Sequence, residues 1–146
     1  MHKPKIYFGA SIRAGRDDAT IYAEILAHLQ TIGTVLTEHV GDTNLRAQGE
    51  QGISDESIHN RDLAWIEESD IVIVEATQPS LGVGYEMRYA VDLAKPVLVL
   101  HRLPSEKRLS AMIAGCKPIM TRSYSDLDEA RHHIDTFLKT ITPFRH

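Results

Sequence analysis

The chain has 146 residues, a formal charge of −4, 42% hydrophobic residues and 25% charged residues, which fits one globular domain with a single substantial core. The negative balance argues against broad, nonspecific contact with a nucleic-acid polymer. One cysteine, Cys116, excludes an internal disulfide, and "MHKPKIYFGAS" lacks the apolar core of a signal peptide, so a reducing, cytoplasmic or nuclear location with no membrane partner is expected.

In chain order, "KIYFGAS" (5–11) reads as a first strand and 17–33 as a first amphipathic helix. "TVLTEH" (34–39) is a second strand. The polar, aperiodic segment 41–54 is a long loop, either solvated or a lid. A helix over 55–69, the strand "DIVIVEA" (70–76), a helix over 84–94 and the strand "KPVLVLHR" (95–102) follow. A short helix (108–115), the strand "KPIMTRSY" (117–124) and a final helix (126–141) complete the pattern. Runs as continuously apolar as "IVIV" and "PVLVL" suit a parallel sheet covered on both faces. Strict β–α alternation therefore predicts one α/β domain over 1–146. Its expected architecture is a doubly wound, Rossmann-like or flavodoxin-like, mostly parallel five-stranded sheet with helices on both faces.

Ligands of such a sheet lie beyond the carboxyl ends of the strands, near the point where strand order reverses. Three strand ends carry much of the unusual chemistry: "GASIRAGR", "EHVGD" and "TQPSLGVGYE". The last could be plain punctuation, with Pro79 and Gly82 turning the chain and Ser80 capping a helix. Glu86 asks for more. A projection at about 100° per residue puts Asp62 inside the stripe formed by Ile58, Trp65 and Ile66. It puts Glu86 among Val83, Met87, Ala90, Leu93 and Ala94 in the same way. A lone charge on a core-facing stripe costs several kcal/mol unless it is paired or opens on a cavity. Asp62 could pair with an arginine near Arg61 or with Arg88, or cap a loop. Glu86, read as lying in the first helical turn, would be held ionised by the helix dipole. Two acids flanking a sugar carbon are what glycoside chemistry requires.

Ser11 and the guanidiniums of Arg13 and Arg16 stand where the first strand meets the first helix, a favourable place for an anion. Ser80 could add a donor, and Ile12, Gly82 and His39 join them as candidate substrate contacts. Alternatively, Arg13 and Arg16 are solvated partners of Asp17 and Asp18. Nucleotide motifs are not met: "GVGYEM" has Met87 where a dinucleotide fingerprint needs its third glycine, and no "GK[ST]" follows a glycine loop. Eight scattered histidines show no ligand spacing, so no metal or organic cofactor is expected. Cys116 reads as a small buried hydrophobe beside Gly115.

With these residues in view, the chain resembles the 2′-deoxynucleoside 5′-monophosphate N-glycosidases (N-hydrolases) of the nucleoside 2-deoxyribosyltransferase superfamily. The resemblance rests on "IYFGASIRAGR", "GTVLTEHV", "IHNRDLAWIEESDIVIVEATQPSLGVGYE" and "LSAMI", in order over most of residues 5–113. It implies that Glu86 is the nucleophile on the anomeric carbon, that Asp62 assists it, and that Tyr7 hydrogen-bonds near the acids. It implies that Ser11, Arg13 and Ser80 hold the 5′-phosphate. Ser110 would reach that phosphate from the partner subunit of a homodimer. The expected reaction is hydrolysis of a deoxynucleoside 5′-monophosphate to free base and 2-deoxyribose 5-phosphate. Base exchange by a 2-deoxyribosyltransferase and a non-catalytic nucleotide-binding module are the alternatives.

Overall fold

The computed structural model describes residues 3–11, 16–37 and 53–141. In chain order these form β1 (Lys5–Ala10), α1 (Arg16–Ile32), β2 (Thr34–Val35), α2 (Asp55–Glu68) and β3 (Ile71–Glu75). They continue as α3 (Leu81–Asp92), β4 (Val97–Arg102), α4 (Ala111–Ala114), β5 (Ile119–Tyr124) and α5 (Leu127–Ile141). The five strands form one sheet in the order β2-β1-β3-β4-β5, and each pairing is parallel. This is the flavodoxin-like order, whose switch point lies between β1 and β3.

Period-two alternation splits the strands between two cores. Ile6, Phe8, Ile71, Ile73, Leu98 and Leu100 face Tyr22, Ile25 and Leu29 of α1 and Ala130, Ile134 and Phe137 of α5. Tyr7, Val72, Val74, Val97 and Val99 face Ile66 of α2 and Val83, Met87 and Ala90 of α3. Tyr7 therefore points to the α2–α3 side, the side that carries both inward acids.

The boundaries differ where side chains take over from the backbone ladder. The second strand was expected over 34–39, yet the ladder stops at Val35. Leu36 N–H still donates to Ile6 O at 2.9 Å. Thr37 then supplies its hydroxyl to both Phe8 N–H and Phe8 O at 2.8 Å, replacing a strand pairing with a side-chain one. Gly33, between α1 and β2, is required: a Cβ there would sit 2.4 Å from Pro4 O. The helix expected over 84–94 begins earlier, at Leu81, because Ser80 caps it by accepting from Val83 N–H at 3.2 Å. It also ends earlier, leaving Leu93 and Ala94 exposed rather than in the core stripe. Most of the expected loop 41–54 lies outside the described residues; its last residue, Ser54, is the cap of α2 and accepts from Ser57 N–H.

Candidate active site

Three elements converge at the switch point. β1 brings Tyr7, which is buried; α2 brings Asp62 and α3 brings Glu86, both partly buried. Tyr7 and Asp62 each hydrogen-bond the Glu86 side chain. Asp62 and Glu86 line a cleft of about 400 Å³ with Ile58, His59, Gly82 and Tyr85. Burial pushes the Glu86 carboxyl up to about 8. The Tyr7 hydroxyl, donating to it, works against that rise, while the Asp62 charge and a hydrogen bond to Asp62 add to it. Burial, then the charges of Glu86 and Asp62, push the Tyr7 hydroxyl far above its usual range, so it stays a donor.

Two expectations are corrected here. Glu86 is the sixth residue of α3, past the first turn where free N–H groups and the dipole favour a carboxylate; burial instead favours its protonated form. The two acids also do not stand apart on either side of an open space. They touch, and a protonated Glu86 donates to the Asp62 carboxylate.

Asp62 does have an arginine partner, and it is the adjacent residue: Arg61 donates from Nε and Nη2 to Asp62 Oδ1 at 3.0 and 2.9 Å. Arg88 pairs instead with Asp92 at 2.7 Å. Ser11 is buried at the end of β1, beside the switch point. Ile12, Arg13 and His39 lie outside the described residues. Gly82 lines the same cleft as the acids, whereas Ser80 and Ser110 line a second, larger cavity of about 610 Å³. Leu81 is common to both hollows. Ser110 caps the short α4, accepting from Met112 N–H at 3.2 Å.

The family pattern of nucleoside 2-deoxyribosyltransferases matches residues 6–115, a span that contains Tyr7, Asp62 and Glu86. The chain belongs to that family. Among its relatives, the 5-hydroxymethyl-dUMP N-hydrolase of Tetraodon nigroviridis is 56% identical over 114 residues, covering 76% of this chain and 79% of that one. The protein of the same name from Danio rerio is 45% identical over 139 residues, covering 94% and 97%. A solved 2-deoxyribosyltransferase from Bacillus psychrosaccharolyticus has the same fold, with a TM-score of 0.63 at 19% identity over 91% of this chain and 95% of that one.

Several features of this nucleoside 2-deoxyribosyltransferase family member escape sequence reasoning. A Cβ on Gly9 would lie 3.5 Å from Glu86 Oε1, at ordinary contact distance, so the backbone of β1 runs directly beside the carboxylate. His59 and Tyr85, joined Nε2 to hydroxyl at 3.0 Å, form part of the cleft wall. Glu75, fully buried at the end of β3, accepts from Thr77 N–H at 2.9 Å, Thr77 Oγ1 at 2.7 Å and Tyr124 OH at 2.5 Å. Thr77 Oγ1 in turn accepts from Arg102 N–H. Asp18 takes the Arg102 guanidinium at 2.6 Å and Gln78 Nε2 at 3.0 Å. These bonds fix residues 75–78, the root of the loop that delivers Ser80 and α3. Within "VEATQ" a buried acid is invisible, because one of its donors, Tyr124, comes from β5 and the Thr77 hydroxyl is set by Arg102 of β4. Among the described residues no three His, Cys, Asp or Glu side chains cluster as a metal site, and no helix is long and apolar enough to cross a membrane. Cys116 is a free thiol and half-buried rather than fully buried.

Proposed function

We propose that this protein hydrolyses the N-glycosidic bond of 2′-deoxynucleoside 5′-monophosphates, with 5-hydroxymethyl-dUMP among its substrates. The observation that carries the reading is the buried contact of Glu86 with Asp62 and Tyr7 in a cleft at the switch point. Two touching acids are costly for the fold and serve no packing purpose, whereas a nucleophile that must pass a proton aside needs such a neighbour. The substrate choice follows the activity of the Tetraodon and Danio relatives.

In this reading Glu86 yields its proton to Asp62, and its carboxylate attacks C1′ as the C1′–N bond breaks. The bonding pair leaves with the base, which takes a proton from water. The hydroxide equivalent opens the glycosyl ester at C1′, and the proton held on Asp62 returns to Glu86. Tyr7 donates to Glu86 throughout and steadies the charge it gains. A 2-deoxy sugar suits this route, since no 2′-hydroxyl crowds the attack or withdraws charge from the developing cation. Ser11, Ile12, Arg13 and Ser80 hold the 5′-phosphate, and Gly82 and His39 border the nucleoside.

The working unit in this proposal is a homodimer. Leu81 and Met112 are 97% and 82% exposed, and both line the larger, mostly apolar cavity that also holds Ser80 and Ser110. A second copy seated there would cover both side chains and bring its Ser110 toward the phosphate.

The test is incubation with individual deoxynucleoside 5′-monophosphates, 5-hydroxymethyl-dUMP included, with and without an added free base. Release of base and 2-deoxyribose 5-phosphate in both conditions supports hydrolysis. Turnover only with the added base would identify a transferase, and binding without turnover a nucleotide-binding module.

A further inference from the structure

Arg61 occupies an unusual position beside the acid pair. Its Nε and Nη2 both donate to the same oxygen, Oδ1 of Asp62. Its guanidinium carbon lies 4.7 Å from the Trp65 ring centroid, over the indole. A planar cation held by a ring on one side and by a fork of bonds on the other loses little further freedom when it restrains a carboxylate. The side chains then form one line: Trp65, Arg61, Asp62, Glu86, Tyr7. Among the described residues, the titratable and charged groups around the pair are Tyr7 from β1, Asp55, His59 and Arg61 from α2, and Tyr85 from α3. Arg61 is the one permanent cation in that set.

We propose that Arg61 is a positioning residue that fixes the Asp62 carboxylate and, through it, sets the pH above which the Glu86–Asp62 pair holds only the one proton that Glu86 passes aside before it attacks. This rests on the reading of Glu86 and Asp62 given above. Removing the cation leaves Glu86 with less help in ionising, since the Arg61 charge acts to lower the Glu86 value. The onset of activity should therefore move to higher pH. Lysine at this position keeps the charge but loses the fork and the planar stack.

The experiment is the pH profile of kcat/KM, with one substrate throughout so that its own ionisation cancels, for wild type, Arg61→Gln, Arg61→Lys and Glu86→Gln. The profile reports ionisations of the free enzyme. Loss of a cation this close is expected to raise the acid limb by about one pH unit in Arg61→Gln. Arg61→Lys should bring it most of the way back. A purely structural Arg61 would lower the melting temperature or the amplitude and leave the limb in place. An acid limb at the wild-type position in Arg61→Gln overturns the proposal, whatever the amplitude. Should Arg61→Gln not fold, Arg61→Met, which also removes the cation, decides in its place: a raised limb upholds the proposal and a limb at the wild-type position overturns it. Full activity in Glu86→Gln would instead show that the underlying reading of the acids had failed.

Discussion

Glu86→Gln is expected to stabilise the protein while abolishing its activity, and the gain should depend on pH. The folded state holds the Glu86 proton more tightly than the unfolded chain does, with a value raised from 4.5 to about 8. A group with a raised folded value contributes its full stability below about pH 4.5, where both states are protonated, and loses it as pH climbs through about 8. At about 1.4 kcal/mol per pH unit, the rise sets a ceiling of about 5 kcal/mol. Glu86 is only partly buried and opens on a cleft, and water there screens part of the penalty, so about 3 kcal/mol is the working figure. Glutamine has the same shape and never ionises. Near pH 4.5 variant and wild type should melt together; at pH 9 the variant should melt about 6–12 °C higher, at roughly 2–4 °C per kcal/mol for a chain of this size. Thermal scans at pH 4.5, 7 and 9 and one fixed protein concentration measure it. A constant difference across that range would refute the claim that burial and Asp62 hold the Glu86 proton in place.

Three further expectations follow from the same geometry. Tyr7→Phe removes the donor that favours ionised Glu86, so kcat should fall by about 100- to 1,000-fold, in steady-state assays, as for loss of one preorganised donor; an unchanged kcat would remove Tyr7 from the site. Glu75→Leu leaves Thr77 N–H, Thr77 Oγ1 and Tyr124 OH without their buried acceptor. At about 1–3 kcal/mol for each orphaned group it should destabilise strongly in chemical denaturation, and a loss below 1 kcal/mol would contradict the role given to that network. Mixing Glu86→Gln with Ser110→Trp, each inactive alone, should restore activity once subunits exchange, because one composite site per heterodimer would carry Glu86 and a partner Ser110; no rescue under proven exchange would confine Ser110 to its own chain.

The parts legible in the sequence are those governed by local period. The apolar runs "IVIV" and "PVLVL" specify buried parallel strands, and the 3.6-residue period of α2 and α3 singles out Asp62 and Glu86 as acids facing inward. What period could not show is distance between elements. Asp62 and Glu86 were separable from solvent acids, yet their mutual contact needs the two helices placed side by side over β1. Arg61 itself is not singled out by period as the partner of Asp62, since its grip on the adjacent carboxylate goes with a side chain laid over Trp65. The helix expected from Gly84 starts three residues earlier, at Leu81, because "SLGV" with Gly82 reads as loop while the Ser80 cap starts the helix. Glu75 was read as part of an apolar run; the donors that make its burial tolerable come from Thr77 and from Tyr124, 49 residues downstream.

The most direct test of the account is the anomeric configuration of the sugar formed when a deoxynucleoside 5′-monophosphate is turned over in the presence of methanol. Proton magnetic resonance of the fresh methyl 2-deoxyriboside 5-phosphate reads it without any need for the intermediate to accumulate. Attack by Glu86 followed by attack of the solvent inverts C1′ twice, so the β-nucleotide should give the β-methyl glycoside. The α-glycoside would mean a single displacement by solvent, and Glu86 would then not be the nucleophile.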